Sequence, residues 1–116
     1  MTGVVFGDIT ENSVIKTSGN GGAIYAGKSI TLSGCTIHAG SNRHNDVFLI
    51  NTSTSSGGTT IVISGAPGNT TTNKCAVTLS NCQAGSIILT GTSTYFNRFV
   101  LTNSGYTIGT TSGKAE

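Results

Sequence analysis

Apolar residues recur along this chain as short alternating triplets, each followed by a hydroxyl or amide residue and then usually by a small one. The clearest are Ile30-Thr31-Leu32-Ser33-Gly34, Phe48-Leu49-Ile50-Asn51-Thr52, Ile61-Val62-Ile63-Ser64-Gly65, Val77-Thr78-Leu79-Ser80-Asn81, Ile87-Ile88-Leu89-Thr90-Gly91 and Phe99-Val100-Leu101-Thr102-Asn103. Successive side chains of a strand point to opposite faces, so the first and third residues of each triplet share the face to be buried. On this reading Phe48 and Ile50 point inward, as do Ile87 and Leu89. Gly or Asn just afterwards takes positive φ at little cost, which lets the chain bend. Fainter triplets cover residues 4–6, 14–16, 24–26 and 37–39, with a lone Ile108 near the end.

No stretch of ten residues sustains a 3.6-residue period, so the prediction is all-β with no helices. Thr31-Leu32-Ser33-Gly34-Cys35 and Thr78-Leu79-Ser80-Asn81-Cys82 match at four of five positions, a weak internal repeat. An antiparallel sandwich would lean on two-residue Asn-Gly or Asp-Gly hairpins. The chain has no Asp-Gly, and its one Asn-Gly, Asn20-Gly21, sits beside a further glycine. A β-solenoid needs only narrow coils that each bury one or two aliphatic side chains against the next coil. The triplets sort into three columns of about three to four short coils. The first takes residues 4–6, 30–32, 61–63 and 99–101. The second takes Val14, Ile37, residues 77–79 and Ile108. The third takes residues 24–26, 48–50 and 87–89. Loops at 40–46, 52–58, 66–74 and 91–97 absorb the unequal spacing.

Composition fits this picture. Hydrophobic residues make up 35% of the 116 and charged residues 9%, while Gly, Ser, Thr and Asn supply about half; ordinary domains carry roughly 45–50% and about 25% respectively. Disorder goes with low hydrophobicity and high charge, and this chain lacks the charge. The length predicts a single domain over 1–116. The six basic residues Lys16, Lys28, Arg43, Lys74, Arg98 and Lys114 are scattered, which argues against nucleic acid. No apolar run nears the ~20 residues of a membrane span. Cys35, Cys75 and Cys82 are an odd number, and they read as small buried hydrophobes. The first residues, Met1-Thr2-Gly3-Val4-Val5-Phe6, do not read as a signal peptide. A strand signal this early predicts a piece of a longer chain with Met1 added.

Two short motifs carry a resemblance. Gly21-Gly22-Ala23-Ile24 matches the GGA-aliphatic motif, and Phe48-Leu49-Ile50-Asn51 the FxxN motif, of bacterial polymorphic outer-membrane proteins. With the strand pattern over nearly the whole chain, the sequence resembles the right-handed parallel β-helix (pectate-lyase-like) superfamily, in particular autotransporter passenger domains. The resemblance implies an extracellular or cell-surface location, a virion surface included, and an asparagine at Asn51 whose amide bonds backbone at a turn.

Candidate chemistry is sparse. Carboxylates are Asp8, Glu11, Asp46 and Glu116, whereas β-helical lyases and hydrolases need them clustered around calcium or a glycosidic bond. His38, Arg43, His44 and Asp46 form the one polar cluster, without a recognised metal spacing. No GxSxG elbow and no phosphate loop is present. The runs Thr52-Ser53-Thr54, Thr70-Thr71-Thr72 and Thr90-Gly91-Thr92-Ser93-Thr94 suggest the hydroxyl arrays of ice-binding solenoids, but at unequal spacing. Tyr25, Tyr95 and Tyr106 offer stacking surfaces for sugars or caps for coil ends. The expectation is a non-enzymatic structural or adhesive segment with no catalytic residue, cofactor or metal. Its partners would be further copies, neighbouring coils of a longer chain, or surface carbohydrate. The alternatives are a fragment of a polysaccharide lyase, hydrolase or tailspike depolymerase, and a Thr-rich ice-binding solenoid.

Overall fold

The computed structural model describes residues 5–6, 23–37 and 46–116. Its strands are β1 (Val5–Phe6), β2 (Ile24–Ala26), β3 (Ile30–Leu32), β4 (Thr36–Ile37), β5 (Val47–Leu49), β6 (Ile61–Ile63), β7 (Cys75–Leu79), β8 (Leu89–Gly91) and β9 (Phe99–Leu101), with a 3-10 helix over Ser93–Arg98 before β9. The fold is all-β. Three sheets have the orders β1-β4, β2-β5-β7-β9 and β3-β6-β8, and every strand pair in them is parallel. No described strand pairs with its neighbour in sequence, as parallel pairing demands, since a tight hairpin can join only antiparallel strands. The chain visits the sheets in a recurring order: β2, β3, β4, then β5, β6, then β7, β8, and last β9.

Register stacks like on like. Ile24, Val47, Val77 and Leu101 are successive partners in the four-stranded sheet, and Ile30, Ile61 and Leu89 in the three-stranded one. Val47, Leu49, Ile61, Val77 and Leu89 are at most 1% exposed. Ile63, Cys35, Cys75, Ile88 and Phe99 join them in one core. From β2 to β9 each strand buries only one to four side chains, and stacking them in register lets a chain this poor in apolar residues still close an interior.

Three expectations about placement are corrected. Residues 99–101 lie beside β7 and not beside 61–63; residues 77–79 lie in the 24–26 column; Leu89 pairs with Ile61; and residues 5–6 pair with Thr36–Ile37. Column membership follows from loop length, and triplets of equal apolar character carry no label for their column. The phase at β5 is shifted by one residue. Val47 and Leu49 are the inward pair, while Phe48 faces away and stacks on Tyr25 with ring centroids 5.4 Å apart. The run Val47-Phe48-Leu49-Ile50 permits either phase, and the smaller β-branched side chain took the core. The third correction is the segment 93–98, expected as a loop, which is helical with Phe96 buried and the Phe99 N–H bonded to the Phe96 carbonyl. The predicted elements at residues 14–16 and 38–39, and most of loop 40–46, lie outside the described residues.

Ile108 does not continue a parallel column. It bridges Ala115 in an antiparallel hairpin, with Thr107 and Glu116 exchanging N–H···O bonds of 2.9 Å. The returning arm then lies along β8: Leu89 N–H donates to the Gly113 carbonyl at 2.9 Å and Ala115 N–H to the Ser86 carbonyl at 2.9 Å. Gly113 has φ +68°, and a Cβ there would sit 2.2 Å from the Leu89 carbonyl oxygen, so no larger residue fits.

Candidate functional site

Two side-chain amides finish sheets from within. Asn69 is 1% exposed; its Oδ1 accepts the Ile37 N–H at 2.9 Å and its Nδ2 donates to the Ile37 carbonyl at 2.9 Å and the Asn73 carbonyl at 3.2 Å. The amide thus offers β4 the same donor and acceptor that a further strand would. Asn103 does this for β7, accepting from Leu79 N–H at 2.8 Å and donating to the Leu79 carbonyl at 2.9 Å. Arg98 fastens the loop that carries Asn69: its Nη1 donates to the Pro67 carbonyl at 3.1 Å, and its guanidinium lies 5.0 Å from the Tyr95 ring centroid.

Of the candidate chemical groups, Asp8, Glu11, His38, Arg43 and His44 lie outside the described residues. Asp46 is 1% exposed. Its Oδ2 accepts the Ala76 N–H at 2.8 Å, and its backbone carbonyl accepts from Ala23 and Ile24, so it joins β2, β5 and β7. The Cys75 thiol is fully buried nearby; burial first, and the Asp46 carboxylate second, push its pKa well above the usual thiol value. Cys35 is buried, its thiol donating to the Ser33 carbonyl, while Cys82 is only partly covered. Glu116 enters the hairpin through its backbone. Among the described residues no three of His, Cys, Asp and Glu are grouped to hold a metal ion. No helix among them is long and apolar enough to cross a membrane.

Tyr25 is 58% exposed on the outer wall, and Tyr106 packs partly against the core. The threonine runs scatter: Thr90 lies within β8 beside Val62, Thr70 closes a turn by accepting the Asn73 N–H at 3.0 Å, and Thr52 bonds the Asn81 carbonyl at 3.3 Å.

Two of the clefts among the described residues bear on function. One, of about 170 Å³, lies beside β9 and is lined by Lys74, Phe96, Phe99, Leu101, Thr107 and Ile108 among others. The other, of about 290 Å³, lies between two turns stacked at one corner and is lined by the glycines 27, 57 and 58 and by the polar residues Lys28, Ser29, Asn51 and Thr59. Ser29 is spent on structure, its Oγ accepting the Thr60 N–H at 2.9 Å. Asn51 takes φ +61°, alone among the described non-glycine residues in being positive. Its carbonyl accepts the Thr59 N–H at 2.9 Å, and its amide nitrogen lies 3.8 Å from where a Gly27 Cβ would be. The bend expected at Asn51 is therefore present, while its side-chain amide has no hydrogen-bond partner among the described residues and lines the cleft. Sequence reasoning missed Lys28 and Thr59; the signal was the glycines that bracket them, 27 and 57–58.

No protein-family model, curated protein or solved structure matches this chain.

Proposed function

We propose that the chain is a non-enzymatic structural or adhesive segment of a bacterial or phage surface protein, wound as a right-handed parallel β-helix. The observation that carries this reading is the in-register stack of aliphatic partners through two parallel sheets, Ile24-Val47-Val77-Leu101 and Ile30-Ile61-Leu89. Strands that pair only with strands of an earlier or later passage make a fibre-like wall whose stability is a sum of neighbouring contacts. The carboxylate in the described part nearest to a chemical role, Asp46, is occupied in joining three strands. Assembly with further copies belongs to the same proposal, because β9 ends its sheet and no described strand lies beyond it.

External protease added to intact cells or particles that carry the protein is expected to cut it while an internal marker survives. Protection would overturn the surface placement. Incubation with acidic polysaccharides, with and without calcium, is expected to release no new chain ends; cleavage would overturn the non-enzymatic reading.

A further inference from the structure

We propose that the polar corner cleft binds a single sugar unit bearing one carboxylate. The proposal deepens the surface-segment reading and rests on it only for how such a sugar is met. Its centre is Thr59, which lines the cleft, is 3% exposed, and has a hydroxyl with no bonding partner among the described residues. Buried polar groups are normally paired, and a hydroxyl left without a partner is costly. The Thr59 backbone is tied to the opposite turn by its N–H on the Asn51 carbonyl.

Asn51 supplies the second contact. Its carboxamide offers donors and an acceptor together, the combination that adjacent sugar hydroxyls require. Lys28 is exposed at the rim, and no carboxylate lines the cleft, so the charge presented is positive. The glycines keep the walls thin: a Cβ on Gly58 would lie 2.7 Å from the Ser53 backbone nitrogen, and one on Gly57 would point into open space. Binding pockets for larger organic ligands span roughly 300–1,000 Å³, and the cleft of about 290 Å³ falls at the lower end, the scale of one sugar ring.

Amide-resolved NMR titration of the full chain with glucuronate, glucose and inorganic phosphate tests this. Glucuronate is expected to shift residues 27–29 and 51–60 with a dissociation constant of roughly millimolar order. Glucose is expected to bind about tenfold more weakly and phosphate to leave these residues unshifted. Thr59→Val keeps the shape and removes the hydroxyl; it is expected to lose about tenfold in affinity while the thermal midpoint holds or rises. Asn51→Gly suits the local backbone and is expected to lose affinity similarly. Lys28→Gln is expected to weaken glucuronate and spare glucose. The proposal is overturned by absent glucuronate shifts, by native affinity in Thr59→Val, by a fall in that variant's midpoint, or by phosphate binding as well as glucuronate. None of these results bears on protease access or polysaccharide cleavage, so the surface-segment reading stands or falls separately.

Discussion

At the residue scale, the side chains that matter most to the fold are polar. Asn69 satisfies both backbone groups of Ile37 inside the protein. Asn69→Ala would leave a buried N–H and C=O without partners, each a loss of about 1–3 kcal/mol. A total drop of about 2–6 kcal/mol in urea unfolding is expected. Asn103→Ala, at a half-buried site, should cost less, about 1–2 kcal/mol. Equal costs at the two positions would show that burial does not set the penalty. Cys75 gives a pH signature. Its folded pKa is raised well above that of an ordinary thiol. The thiol therefore adds stability that is fully present below the unfolded pKa and lost as pH rises through it toward the folded one. Stability is expected to fall above about pH 9 by up to about 1.4 kcal/mol per pH unit. Cys75→Ala should remove most of that slope, the remainder belonging to Cys82, whose thiol pKa is also raised by partial burial; an unchanged slope would assign it to another group.

At the element scale the phase of β5 decides what a mutation does. Leu49 is fully buried and Phe48 lies on the wall against Tyr25. Leu49→Ala is expected to cost about 2–5 kcal/mol, and Phe48→Thr, which gives up the ring stack and much of the burial of a side chain 8% exposed, a smaller loss of about 1–3 kcal/mol. The reverse order in chemical denaturation would restore the phase in which Phe48 and Ile50 point inward. Strand existence was legible in the sequence because alternation over three residues is a strong local signal: triplets at 30–32, 61–63 and 99–101 are all strands. Phase was not legible at Val47-Phe48-Leu49-Ile50, where four apolar residues run together. Column membership was not legible either, since it depends on loops such as 66–74, where Asn69 takes the place a strand would occupy. The hairpin at the C-terminal side was missed because Ile108 and Ala115 offer one apolar residue per arm. Gly113→Ala should detach that hairpin, costing about 2 kcal/mol or more, and raise amide exchange at Leu89 and Ala115 before the rest of the chain.

At the scale of the whole molecule, the architecture follows from parallel pairing alone: a strand with no sequence neighbour beside it must wait for a later passage of the chain. The candidate cleft was illegible by the same logic, since Lys28 and Asn51 belong to different passages and meet only when the turns stack. Val100, 42% exposed on β9, marks the wall at the last strand of its sheet. Apparent mass by light scattering is expected to rise with concentration for the native chain and to stay monomeric for Val100→Lys, since a charged edge discourages pairing. A constant monomer mass for both would remove self-assembly from the proposal. The antiparallel arm of residues 113–115 gives this behaviour a direction. The arm lies along β8, while β9 has no described strand beyond it. A copy docking at that end, as the proposed assembly requires, would therefore meet an open strand edge at β9 and an already covered one at β8.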